Sequence, residues 1–221
     1  VKVGSSLLVD DSGHVDRQWL ATLAHDIHSL LQAGHEVLVV SSGAIAIGSS
    51  VLGINKRRAR LEDLQAAAAS GQVQLVHAYQ EVFGAHGIGA AQVLLTPEDT
   101  ENRRRFLNAR GTLGRLLERG VIPIVNENDT VVVDELKFGD NDRLAAIVSH
   151  LVDAALLGRG HRFGRVWTRQ WPRRGARDLA GGGMQERRAR ERRTPATPHA
   201  DDVVAHARHV GAARGRAPKD E

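Results

Sequence analysis

The run Val37-Leu38-Val39-Val40 constrains this chain most. It is continuously apolar rather than alternating, and a helical pattern stands on each side of it. Such a run forms a strand buried on both faces. Covering both faces of a sheet takes helices, so the run predicts a parallel α/β architecture. The flanking segments agree. Residues 16–33 place Leu20, Leu23, Ala24, Ile27, Leu30 and Leu31 on one helical face, with Asp16 as cap and Gly34 as stop. Residues 43–52, 61–83, 102–119 and 140–151 also read as helices, and the small residues 66–69 predict close packing. Residues 1–8, 88–95 and 121–125 read as strands, although Pro123 argues against a strand at the last position. Residues 130–137 fit either a strand pair or an extended loop.

Charge divides the chain where this pattern ends. Residues 1–157 hold 14 Lys+Arg against 19 Asp+Glu, a balance of −5, whereas residues 158–221 hold 16 against 7, a balance of +9. The basic excess therefore belongs to the last 64 residues and says nothing about the globular part. Those residues contain fifteen Arg, one Lys and no Ile. They bury too little apolar surface to offset chain entropy, so disorder is expected there. The chain has no cysteine, which excludes disulfides and thiolate metal sites. No apolar run reaches the ~20 residues of a membrane span and no signal peptide is visible. The absence of an initiator Met suggests that the natural start is missing.

Four polar motifs stand at strand ends, where open parallel sheets place their ligands. Lys2-Val3-Gly4-Ser5-Ser6 can aim an ammonium group at phosphate oxygens, or Lys2 is simply solvated. Ser41-Ser42-Gly43 follows the strongest strand, and offers hydroxyls and free N–H groups to a carboxylate or phosphate; an ordinary N-cap is the alternative. Asn126-Glu127-Asn128-Asp129 and Gly139-Asp140-Asn141-Asp142 enclose the third and fourth sites. Acids at a helix start are favoured by the macrodipole alone. A calcium loop is also suggested by Asp-x-Asp, but its glycine and distal glutamate are missing. Carboxylates that accept from an ammonium group, beside amides that donate to carboxylates, suit an amino acid. The basic runs 56–60 and 103–105 read as solvated faces, His25 and His28 lack a third metal ligand at useful spacing, and Trp19 reads as packing.

Together the motifs are specific. The order Val-Lys-Val-Gly-Ser-Ser, Val-Ser-Ser-Gly-Ala-Ile-Ala, Phe-Leu-Asn-Ala-Arg-Gly-Thr-Leu, Val-Asn-Glu-Asn-Asp-Thr and Gly-Asp-Asn-Asp-Arg-Leu-Ala-Ala resembles the amino acid kinase family over residues 1–155. Residues 64–72 and 92–96 agree as well. The paired Asn-Glu-Asn-Asp and Gly-Asp-Asn-Asp motifs point to the branch that phosphorylates glutamate, not to carbamate, uridylate, acetylglutamate or aspartate kinases. The resemblance implies a three-layer αβα sandwich whose N-terminal part binds the amino acid and whose C-terminal part binds the nucleotide. It implies transfer of phosphate from ATP, with Mg²⁺, to the γ-carboxylate of L-glutamate, as the first step of proline synthesis in the cytoplasm. Lys2 matches the lysine that contacts ATP phosphates. Ser42, Asp129 and Asn141 match glutamate-binding residues, and Gly4, Gly43 and Gly139 match glycines of the phosphate and substrate loops. Homo-oligomers, proline feedback and hand-over of glutamyl phosphate to a reductase are usual in that branch.

Beyond residue 155 the resemblance stops. The expected Thr-Asp pair is replaced by Leu156-Leu157-Gly158-Arg159, and Gly181-Gly182-Gly183-Met184-Gln185-Glu186-Arg187 carries Arg where the family has a lysine. We expect an amino acid kinase domain over 1–157 and a basic tail over 158–221, with an incomplete nucleotide half. An out-of-frame reading of GC-rich DNA near residue 157 accounts for the change in composition; a divergent basic tail is the alternative. The two competing functions are another member of the same family, and an inactive fragment whose tail binds nucleic acid through its charge.

Overall fold

The computed structural model describes residues 1–10, 12–132, 141–160 and 167–170. The strands are β1 (Lys2–Val3), β2 (Val39–Val40), β3 (Gly89–Leu95), β4 (Val121–Glu127), β5 (Leu156–Gly160) and β6 (Trp167–Gln170). The helices are α1 (Ser5–Leu8), α2 (Arg17–Gln32), α3 (Ala44–Val51), α4 (Leu61–Gly84), α5 (Pro97–Glu101), α6 (Arg103–Glu118) and α7 (Asn141–Leu151). One sheet runs in the order β3-β4-β2-β1-β5-β6. Every neighbouring pair is parallel except β5 with β6.

Side-chain alternation along the strands makes the layers. Val39 and Ile124 join the cluster formed with Leu20, Ile27, Leu75 and Phe83, which come from α2 and α4. Their neighbours Val40 and Val125 join the opposite cluster, with Leu113 of α6 and Leu144 and Val148 of α7. Successive residues of a strand face opposite sides, so two adjacent valines serve two different cores. The result is the three-layer αβα sandwich with a mostly parallel sheet.

The helices follow their sequence signals closely. The Asp16 side chain accepts from the Trp19 N–H at 2.9 Å and starts α2, whose Leu20, Ala24 and Ile27 are buried. Asn102 accepts from the N–H groups of Arg104 and Arg105 and starts α6. Between β3 and α6 lies a helix that periodicity did not reveal. Thr96 and Asp99 form a reciprocal capping box, with Pro97 as the first helical residue of α5. The Thr-Pro-Glu-Asp sequence carries that signal, but a five-residue helix is too short for a hydrophobic period.

Two strand expectations change. Residues 1–8 are not one strand: β1 ends at Val3, and α1 begins after Gly4. The helical turn sends Leu8 into the α2/α4 core and packs Leu7 against the same cluster, whereas an extended chain would send them to opposite faces. Pro123 does lie inside a central strand, β4. The Ser41 N–H donates to the Val125 carbonyl at 2.8 Å, so the odd-numbered backbone groups of β4 face β2. The N–H missing at Pro123 would therefore point towards Val37, outside β2, and β2 pairs with β4 only at Val39 and Val40. A short β2 accommodates the proline.

α3 and α4 cross in close contact. A methyl group at Gly48 would lie 1.7 Å from the Ala67 carbonyl oxygen, and one at Gly71 would lie 1.9 Å from that of Ala44. The small residues of α4, Ala67 and Ala68 among them, are buried at this crossing. This contact seats the N-terminal end of α3 at the carboxyl ends of β1, β2 and β4.

The expected boundary at residue 157 falls within β5, and β6 lies beyond it. The strand pair or loop expected at 130–137 is described only as far as Val132, within a turn. Gly139 and Asp140 lie outside the described residues, as does most of the 158–221 segment.

Candidate active site

Loops after β1, β2 and β4 meet the start of α7 at one end of the sheet. Lys2 is 9% exposed, inside β1, and its Nζ lies 2.8 Å from Asp142 Oδ1 in the first turn of α7. Gly4 keeps the space beside that ammonium group open: a methyl there would lie 3.8 Å from Nζ. Gly43 adopts φ +98°, a conformation that a residue with a side chain rarely takes, and its Cα sits against Ser5 and Val9. That turn brings Ser42 and the N-terminus of α3 next to α1.

Asn141 ties these loops together across separations of up to 100 residues. Its Nδ2 donates to the Ser41 carbonyl at 2.5 Å and to Ser42 Oγ at 2.6 Å. It also lies 3.2 Å from Asn126 Oδ1 at the end of β4. Behind Ser42, the Ser41 hydroxyl bonds the Tyr79 hydroxyl at 3.1 Å. Burial pushes the Tyr79 phenol well above its ordinary value, against a smaller opposing effect of the Ser41 bond. Tyr79 therefore stays neutral and can donate.

Asp129 is held elsewhere. It lines a cavity of about 220 Å³ with Ala68 and Gln72 of α4, Gln92 of β3, Glu127 and Thr130. Ser42, Asn141 and Lys2 do not line that cavity. The two regions are joined through Asn126, which donates from Nδ2 to Gln72 Oε1 at 2.9 Å. So the structure gathers Lys2, Ser42 and Asn141 into one constellation and puts Asp129 on its α4 side. Gly4 and Gly43 shape the constellation, and Gly139 lies outside the described residues.

Sequence reasoning passed over three participants. Asn126 and Asp142 sat inside quoted motifs, yet only the fold shows that one reaches Asn141 and the other Lys2. Gln72 follows Gly71 on the small-residue face of α4, and nothing in its spacing points to Asn126, 54 residues away. Among the described residues, no group of three or more His, Cys, Asp or Glu can hold a metal ion.

An open, mostly parallel sheet, covered on both faces, with an ammonium group, a hydroxyl and a helix N-terminus converging at its strand ends, defines an α/β protein whose strand-end site can receive an anionic group. The sequence profile of the amino acid kinase family matches residues 1–159. The chain belongs to the amino acid kinase family. Curated relatives called glutamate 5-kinase, from Brucella ovis, Brucella canis and Brucella abortus, are each 55% identical to it over 157 residues. That stretch is 71% of this chain and 42% of each relative, so the chain spans less than half the length of the relatives it matches.

Proposed function

We propose that this chain carries the glutamate-binding part of a glutamate 5-kinase, which transfers the terminal phosphate of ATP to the γ-carboxylate of L-glutamate. The observation that carries the reading is the convergence of Lys2, Ser42, Asn141 and Asp142, from a strand, a loop and a helix start, within a region 55% identical to enzymes of that name. A carboxylate is already ionised at neutral pH and needs no general base. Catalysis then rests on positioning and on neutralising charge at the transferring group. Lys2 brings a charge to phosphate oxygens, and the Ser42 hydroxyl with the α3 N-terminus receives the carboxylate. Asp129, at the cavity beside Gln72, accepts from the substrate ammonium.

The residues present fit the phosphates of ATP better than ATP as a whole. Lys2 suits its phosphates, and Mg²⁺ would travel with those phosphates, since the described residues build no separate metal cluster. The family match ends at residue 159, before the part that binds the nucleotide in the resemblance. We therefore place residues 1–157 as the amino acid kinase domain and residues 158–221 as a basic tail, with turnover impaired. A slipped coding frame near residue 157 explains the tail; DNA sequencing overturns it if no other frame downstream encodes Thr-Asp and Gly-Gly-Met-x-x-Lys. The same reading extends to a cytoplasmic enzyme of proline synthesis. It would act as a homo-oligomer, with proline feedback and a glutamyl phosphate reductase downstream. No described helix is long and apolar enough to cross a membrane.

The test is a titration of the ¹⁵N-labelled 221-residue chain with L-glutamate and L-aspartate, followed by an ADP-release assay with MgATP. Glutamate should perturb the signals of Ser42, Asp129 and Asn141 more than aspartate does, with weaker affinity than a full-length relative. ADP release should stay near background. A chain that ignores glutamate refutes the assignment, and robust glutamate-dependent ADP release refutes the impairment.

A further inference from the structure

Three carboxamides stand in series behind Ser42; backbone groups that cannot exchange donor for acceptor fix the orientation of two of them, and Asn126 fixes that of Gln72. The Glu127 N–H donates to Asn126 Oδ1 at 2.9 Å, so that oxygen accepts and Nδ2 of Asn126 faces away from it. Asn126 Nδ2 accordingly donates to Gln72 Oε1 at 2.9 Å. At the other end, Asn141 Nδ2 must be the group that meets the Ser41 carbonyl, because a carbonyl only accepts. The same nitrogen lies 3.2 Å from Asn126 Oδ1 and 2.6 Å from Ser42 Oγ, so its two hydrogens serve three acceptors and one of them is shared. Ser42 Oγ therefore accepts from Asn141 and keeps its own hydrogen for another partner.

This arrangement has a visible penalty. Gln72 is 8% exposed, and its Nε2 is buried without a hydrogen-bond partner among the described residues. A buried donor left unpaired is unfavourable. Turning the carboxamide over gives no relief, since two NH₂ groups would then face each other. A methionine of similar volume would fill the space with no orphaned donor. What position 72 supplies, and methionine cannot, is an acceptor for Asn126.

We propose that Gln72 is a positioning residue for the substrate site. Its Oε1 holds Asn126 so that Oδ1 faces Asn141. Asn141 in turn holds Ser42 Oγ as an acceptor, and the Ser42 hydroxyl hydrogen is the one offered to a carboxylate of the bound ligand. The proposal rests on the glutamate-binding reading above. Gln72 touches no reacting atom here. Without its acceptor, Asn126, which is 2% exposed, gains an unpaired donor and turns to seek a partner, withdrawing its oxygen from Asn141.

The experiment uses the full chain with Gln72→Met, which removes the acceptor, and Gln72→Glu, which keeps it. In the ligand-free protein, the side-chain amide signals of Asn126 and Asn141 should keep their wild-type positions in Q72E and should move and exchange faster in Q72M. A space-filling role predicts the reverse, since methionine preserves volume and a buried carboxylate disturbs its surroundings; that result overturns the proposal. Glutamate affinity should fall about tenfold in Q72M, the scale of one lost hydrogen bond to a charged ligand. It should fall less in Q72E, even though the added negative charge opposes an acidic ligand. Equal losses overturn the proposal. Where Q72M does not fold, the wild-type spectrum decides: Gln72 amide hydrogens in the bonded range, with those of Asn126 unbonded, reverse the polarity and overturn it. A wild-type chain blind to glutamate refutes the functional reading and, with it, the ligand end of this proposal, whereas failure of the relay alone is read in the ligand-free signals.

Discussion

Lys2 and Asp142 show how a single contact changes the meaning of two residues. Alone, a lysine near a chain end is solvated and an aspartate in a first helical turn answers to the macrodipole. The fold sets them 2.8 Å apart with side chains 11% and 23% exposed. Lys2→Met should therefore lower unfolding free energy by about 2 kcal/mol, between an exposed and a fully buried pair; urea denaturation measures it. Tyr79 provides a pH test. Its folded pKa lies above the ordinary tyrosine value of 10.0 because burial disfavours the phenolate. The folded chain then holds this proton more tightly than the unfolded one. The resulting stability is fully present below about pH 10 and is lost as pH rises through the folded value. Tyr79→Phe should flatten that alkaline loss of stability. At neutral pH it should be destabilised by about 1 kcal/mol through the bond to Ser41. Thermal melts from pH 7 to 11 compare the two proteins.

Among the elements, the α3–α4 crossing carries the site. Backbone approaches side chain-free glycine at Gly48 and Gly71, and the Ser42–Gly43 turn leads directly into α3. Gly48→Ala or Gly71→Ala forces the helices apart. Each should be destabilised by about 3 kcal/mol, at the upper end of overpacking. Glutamate binding should weaken along with stability in both, because the N-terminal end of α3 shifts. Chemical denaturation with a parallel glutamate titration checks this; an alanine at either position that leaves both unchanged would show that the crossing is not tight. Next to β4, β2 is only two residues long, and this spares Pro123 a ladder bond that it cannot make.

For the molecule as a whole, the two hydrophobic clusters draw on no residue beyond Leu157 among those described. The basic excess lies after that point. Deleting residues 171–221 should therefore shift the melting temperature by less than about 2 °C, equivalent to well under 1 kcal/mol for a domain of this size. The same deletion should abolish any salt-sensitive retention on a phosphate-bearing resin, which tail charge alone would produce. A large drop in melting temperature would mean that the tail contributes to the core.

Local pattern sufficed for much of this protein. The cap at Asp16, the helical face of α2, the small-residue stretch of α4 and the buried run at β2 are decided by interactions within a few residues, and they are legible without a fold. So were Lys2, Ser42, Asp129 and Asn141, as members of ordered motifs that resemble one family. Other features depend on distant partners. The turn of residues 5–8 into a helix is settled by which core receives Leu7 and Leu8. The place of Pro123 is settled by the shortness of its neighbour. The link from Gln72 through Asn126 to Asn141 joins α4, β4 and α7, separated by 54 and 15 residues. Hydrogen-bond polarity passes only between groups in contact, and no periodicity along the chain records which carboxamide will face which. Tertiary structure alone brings them together.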